Sequence, residues 1–267
     1  MKLGIGSYTY TWACGVPGQM PARRMSAMDL CQRAEELGVK VVQLCENVAL
    51  EWDDFMAVAG WIHERRDFEI EIGARGLLDE ATASRISMAD KLGGDFLRLV
   101  VDGNGHEPTP GEVINWLRQT SALMPADMRI ALENHDRFPA KTLMEIIEAI
   151  GADRVGITLD TVNSFGALEG PQHVVETLAP YVLSLHVKDF TIRRVPSQMG
   201  FVIEGCPAGE GRLDIPWLLD TIRAAGRDPN AIIELWTPPA DTLEETIARE
   251  AEWTKRSVAY MRTLLSD

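Results

Sequence analysis

The sequence predicts a single-domain α/β protein, a (β/α)8 TIM barrel spanning residues 1–267. Three observations predict it. Strand-like apolar runs alternate strictly with helical patterns, eight of each, which implies parallel strands joined by right-handed crossovers. Four helical segments stop on a glycine a few residues before a strand: Ala-Glu-Glu-Leu-Gly38, Ala-Asp-Lys-Leu-Gly93, Glu-Ala-Ile-Gly151 and Arg-Ala-Ala-Gly226. Glycine takes the left-handed conformation that closes a helix without a Cβ clash, so four joints of one kind mark an internal βα repeat. No linker or compositional shift divides the 267 residues, a length that suits a closed eight-unit barrel better than an open doubly wound sheet.

Lys2–Tyr8 is a short strand, followed by an irregular stretch from Trp12 to Arg24 rich in Gly and Pro. Apolar spacing turns helical from Met28 to Leu37, and Lys40–Glu46 is strand two. Helices over Asp53–Arg66 and Glu80–Leu92 flank strand three, Glu69–Arg75, and strand four is Asp95–Val101. Helical patterns at Gly111–Leu123, Lys141–Ile150, Gln172–Leu178 and Pro216–Ala225 separate the later strands. Those strands are Arg129–Glu133, Val155–Asp160, Val182–His186 and Ala231–Glu234, runs that suit strands covered on both faces. Pro216, just after Asp214, has the chemistry of a helix start. The last helix carries Leu243, Ile247, Ala251, Thr254, Val258, Met261 and Leu265 as a mostly apolar stripe. The longest insertion, Thr191–Leu213, follows strand seven and is expected to fold over the site as a wall or lid.

A formal net charge of −14 argues against a broad nucleic-acid surface. No apolar run is long enough to span a bilayer, and the start of the chain has no basic segment followed by an apolar one, so neither membrane nor export is expected. Cys14, Cys31, Cys45 and Cys206 lack metal-binding or redox spacing and read as reduced thiols of a cytoplasmic protein. A homo-oligomer is compatible with this composition.

Strands five to eight each run into an ionisable residue: Glu133, Asp160, His186 and Glu234. In a barrel these positions gather at the C-terminal end of the strands, where such folds keep their active sites. Three carboxylates and an imidazole suit one hard or borderline divalent cation, Mn²⁺, Mg²⁺, Co²⁺ or Zn²⁺. Residues two apart on a strand face the same side, which places His135 beside Glu133, Lys188 beside His186 and Trp236 beside Glu234. Lys188 is a candidate catalytic residue that holds an anionic oxygen or carries a proton. His135 is a candidate substrate contact, and Trp12 and Trp236 are candidate apolar walls. Arg98 interrupts an apolar strand, where a free charge would be costly, and is expected to pair with Glu46.

The fragments Ala-Leu-Glu-Asn-His135, Leu-Asp-Thr-Val-Asn163, Leu-His-Val-Lys-Asp189 and Gly-Glu-Gly-Arg-Leu-Asp214 resemble the sugar-phosphate isomerase/epimerase-like proteins of the xylose isomerase-like barrel superfamily. The resemblance runs along nearly the whole chain, with its specific motifs in the second half. It implies a divalent metal on Glu133, Asp160, His186 and Glu234, with Glu133 and Glu234 also acting as an acid/base pair on opposite substrate faces. The ketose 3-epimerase pattern is not complete. Asn163 stands where a histidine is usual, Pro139 where a substrate-binding glutamate is usual, and Ile192 where an arginine is usual, with Arg193 and Arg194 adjacent. Asn163 and Arg193 are therefore counted with His135 and Trp236 as candidate substrate contacts.

The expected function is that of a metal-dependent isomerase or epimerase acting on a small keto-sugar or polyol. It would abstract a proton alpha to a carbonyl and stabilise the resulting enediolate. A dehydratase of the inosose or 3-dehydroshikimate type would use the same enolate. An abasic-site endonuclease is disfavoured by the acidity and by only five histidines. A non-catalytic sugar-binding protein is disfavoured by the intact ligand set.

Overall fold

The computed structural model describes residues 1–78 and 80–265. Eight parallel strands close a barrel: β1 (Leu3–Gly6), β2 (Val41–Leu44), β3 (Glu69–Arg75), β4 (Phe96–Val100), β5 (Arg129–Glu133), β6 (Val155–Asp160), β7 (Val182–Val187) and β10 (Asn230–Ile233), which returns to β1. The outer helices are α2 (Ala27–Leu37), α3 (Trp52–His63), α4 (Glu80–Lys91), α5 (Pro110–Leu123), α6 (Ala140–Ile150), α7 (Pro171–Leu178), α8 (Ile215–Ala224) and α9 (Leu243–Met261). The predicted barrel and its strand order are present. No helix among the described residues is long and apolar enough to cross a membrane.

The barrel strands are buried on both faces, but only one face is apolar. Ile130 and Leu132, Ile157 and Leu159, and Leu185 and Val187 join the aliphatic core, while Glu133, Asp160 and His186 alternate with them and meet one another. Period-two alternation thus sorts an oily layer outside the barrel from a polar interior. Register brings the ligand candidates level, since Asp160 lies opposite His186 and His186 opposite Ile232, two residues before Glu234. Gly73 makes room in this interior: a Cβ there would lie 2.6 Å from Cys45 Sγ and 3.1 Å from Arg98 Cδ.

Local chemistry sets the helix ends. Ser26 with Asp29, Thr109 with Glu112 and Thr242 with Glu245 form reciprocal capping boxes at α2, α5 and α9. Asp214 caps α8 by accepting from Trp217 N–H, with Pro216 just inside. Gly38 closes α2 in the left-handed conformation (φ 70°, ψ 16°), whereas Gly151 has φ 120° and ψ 133° and turns the chain differently. The four cysteines are free and buried.

Three elements differ from the sequence reading. The irregular stretch after β1 contains a helical turn, α1 (Thr11–Cys14). The insertion after β7 is built on an antiparallel hairpin of β8 (Asp189–Arg194) and β9 (Phe201–Cys206), which pairs Ile192 with Ile203. The buried face of α9 is more polar than its apolar stripe suggested, because Thr246, Glu250, Thr254 and Ser257 are buried on it. Glu250 explains part of this offset: its carboxylate accepts from the backbone N–H groups of Trp12 and Ala13 at 3.0 and 3.1 Å, tying α9 to α1.

Candidate metal centre

Glu133 and Asp160 are the last residues of β5 and β6, His186 is the penultimate residue of β7, and Glu234 follows β10. All four are buried. His186 Nδ1 lies 3.2 Å from Glu234 Oε1, 3.4 Å from Glu133 Oε2 and 3.8 Å from Asp160 Oδ2. The ring is fixed from behind, with Nε2 2.8 Å from Gln43 Oε1. Asp160 turns one oxygen inward because Oδ1 accepts from the N–H groups of Val162 and Asn163, both at 2.8 Å. Asn134 clamps the ends of β5 and β6: its side chain donates to Asp160 O and accepts from Asp160 N–H.

These donors fit a divalent cation. His186 Nδ1 and Glu234 Oε1 are buried without a hydrogen-bond partner among the described residues. Asp160 Oδ2 faces the same point, with the Lys188 ammonium at 2.8 Å. Buried acceptors left unpaired are costly, and several converging on one point are satisfied together by one cation.

Lys188 and Arg98 supply the positive charge around the cluster. Lys188 Nζ lies 2.8 Å from both Asp160 Oδ2 and Glu234 Oε2 and donates to Asn163 Oδ1 at 3.2 Å. Burial alone would lower its pKa, but Asp160 and Glu234 raise it overall, so the side chain stays an ammonium. Arg98, inside the barrel, donates from Nε to Glu133 Oε2 at 2.5 Å and from Nη1 to Glu46 Oε2 at 3.0 Å. The expected Arg98–Glu46 pair is therefore half of a bridge. Glu133 Oε1 accepts from Asn163 Nδ2 at 2.9 Å, so both oxygens of Glu133 are engaged. Burial pushes this carboxyl up, yet the Arg98 guanidinium pulls it down to about 2.

A cavity of about 380 Å³ opens beside the cluster, within the size range of small-molecule sites. Lys188, Glu234 and Asn163 line it with Tyr8, Trp12 and Trp236. His135 is placed differently. β5 ends at Glu133, so the two-residue rule lapses there, and His135 packs between Arg75 Nη2 at 3.4 Å and Asp136 Oδ1 at 3.2 Å. Arg193 is not brought to the cavity. It sits exposed on the hairpin and pairs with Glu204 across the strands at 3.1 Å, which corrects its expected substrate contact.

Sequence reasoning missed Gln43, Asn134 and Tyr8. Gln43 carried a signal, since an amide inside the apolar run Lys-Val-Val-Gln-Leu-Cys45 needs a buried partner. Asn134 and Tyr8 lie just past strand ends and carried none.

Fold and cluster together define a TIM barrel with a carboxylate–histidine centre at the C-terminal ends of its strands. The chain belongs to the Xylose isomerase-like TIM barrel family, whose profile matches residues 80–262. It is 30% identical over 271 residues to a 3-oxo-isoapionate decarboxylase of Pectobacterium atrosepticum, covering 98% of this chain and 96% of that protein. Among solved structures, D-psicose 3-epimerase in the presence of D-fructose superposes with a TM-score of 0.66 at 15% identity over the full length of both chains. IOLI protein with a bound zinc atom does so with a TM-score of 0.65 at 17% identity, again over both full lengths.

Proposed function

We propose that this chain is a divalent-metal-dependent enzyme that decarboxylates a small 3-oxo sugar acid through an enolate. The observation carrying the choice is the double engagement of Glu133 by Arg98 and Asn163. Epimerisation moves a proton off one face of a carbon and onto the other, which requires a free acceptor on each side. Arg98 and Asn163 engage both oxygens of Glu133 and the guanidinium lowers its basicity, so it is a weak proton acceptor, better suited to holding a cation than to half of an acid/base pair. Decarboxylation needs no base: the C–C bond breaks, its electron pair moves to the neighbouring carbonyl oxygen, and the carbon takes up one proton. The decarboxylase relative, matched along nearly its whole length, supports the same reaction.

A divalent cation held by Glu133, Asp160, His186 and Glu234 would supply Lewis-acid stabilisation of the developing enolate charge. Lys188 lines the cavity with its proton in place and is held by Asp160 and Glu234. It is the candidate donor to the carbon that loses carbon dioxide, and it attracts the substrate carboxylate before the reaction. Trp12 and Trp236 form walls that limit water around the reacting carbon.

The test is to incubate the protein with Mn²⁺ and a branched-chain 3-oxo sugar acid, following carbon dioxide release and the product in deuterated water. Chelator-sensitive release with one solvent deuterium at the new C–H is expected. Epimerisation of a keto-sugar such as D-fructose, with no carbon dioxide from the acid, would restore the epimerase assignment.

A further inference from the structure

The polar interior continues below the centre in a line of hydrogen bonds that no cavity residue requires. Gln43, on β2 and fully buried, presents Oε1 to His186 Nε2 at 2.8 Å. Its other end donates from Nε2 to Glu71 Oε2 at 2.8 Å. Glu71, on β3 and buried, also accepts from Ser184 Oγ at 3.0 Å and from Asn230 Nδ2 at 3.0 Å. Those contacts all donate to Glu71, and none carries a positive charge.

We propose that Glu71 and Gln43 are positioning residues that fix His186 with its Nδ1 lone pair facing the centre. The order of donors dictates this. Ser184 and Asn230 donate to Glu71 alongside Gln43 Nε2, and Cys45 Sγ donates to Gln43 Oε1 at 3.4 Å, so the Gln43 amide turns its NH2 toward Glu71 and its carbonyl toward His186. His186 must then carry its proton on Nε2. Without that acceptor, the carboxylate oxygens 3.2–3.8 Å from Nδ1 would draw the proton to the metal-facing nitrogen. The Gln43 carbonyl, held in place by Glu71, fixes the ring and its tautomer and makes His186 the stronger ligand, as an outer hydrogen-bond partner of a ligand histidine does. Polar side chains here otherwise make little sense, because the same volume could be filled by aliphatic groups as on the outer face.

This inference rests on the metal assignment, and titration calorimetry of chelator-treated protein with Mn²⁺ or Zn²⁺ alone separates the two. Wild type that binds neither ion overturns the metal assignment itself. If wild type binds, Gln43→Leu should weaken binding about 10–100-fold, the loss typical of an outer partner, in a protein that circular dichroism shows still folded at a lowered Tm. The exchanged pair Gln43→Glu with Glu71→Gln keeps an acceptor toward His186 and a donor behind it, so it should bind within a few-fold of wild type. In zinc-loaded protein, the ¹H,¹⁵N spectrum should show a protected His186 Nε2–H in wild type and in the exchanged pair. Wild-type affinity in Gln43→Leu, or weak binding by the folded exchanged pair, would overturn the relay.

Discussion

Arg98 is nearly inaccessible and holds Glu133 on β5 and Glu46 in the turn after β2, so its removal separates stability from chemistry. Arg98→Met should cost about 3–5 kcal/mol in urea denaturation, because it strands the buried Glu133 charge. Adding Glu133→Leu should recover much of that loss. Lys188→Met should behave oppositely: turnover falls about 10²–10⁴-fold, the usual scale for a lost proton donor, while metal content measured by elemental analysis persists. A variant that keeps its turnover would leave Lys188 as a counter-ion alone. At this scale the sequence exposed the four strand-end residues, because each follows an apolar run. It hid the engagement of Glu133, because Arg98 and Asn163 reach it from residues 35 and 30 positions away.

At the scale of elements, the hairpin is anchored by one carboxylate. Asp189 accepts from the N–H groups of Phe190, Gly209, Gly211 and Leu213 at 2.8–3.0 Å, drawing the Gly209-Glu-Gly211 turn back onto β8. Asp189→Ala should raise hydrogen exchange across residues 209–213 and cost about 1–3 kcal/mol, since charge-assisted hydrogen bonds are lost. The second anchor is Glu250 beneath Trp12. Burial pushes its carboxyl up from 4.5 to about 8, against the N–H donors that lower it. Folding therefore takes up a proton in that window, so its contribution to stability falls as pH rises from about 4.5 to about 8 and levels off above. Glu250→Gln should remove that component, seen as a flatter pH dependence of the urea midpoint relative to wild type. The sequence showed α9 as a helix but misplaced its buried face, because the carboxylate that faces inward is satisfied by backbone some 240 residues earlier (238 and 237 positions).

Across the whole molecule, the barrel was legible because its signals are repetitive: strand, helix and glycine recur in order, and each repeat tolerates error at its ends. The hairpin was harder to see because it occurs once, outside that rhythm, and its strands are buried at the base and exposed toward the tip. The centre draws its four cluster residues from β5, β6, β7 and the end of β10, which puts them within the span matched by the family profile. The first three strands and the turns just after them contribute support instead, through Tyr8, Gln43, Glu46 and Glu71. Exchanging the segment over residues 8–24 for that of the decarboxylase relative should therefore change substrate preference, read as relative kcat/KM, while leaving Mn²⁺ affinity within a few-fold.

The buried, unpaired faces of His186 and Glu234 also bear on the lifetime of the protein in a cell. A cation that binds the native chain and not the unfolded one adds about 2.7 kcal/mol when its free concentration is a hundred times Kd. For a chain of this size that is a rise in Tm of roughly 5–10 °C. Scanning calorimetry with chelator and then with Mn²⁺ or Zn²⁺ should show that rise, and pulse proteolysis should show the matching protection. Metal scarcity would thus act as a degradation signal, clearing the chain through its unfolded fraction in addition to idling it.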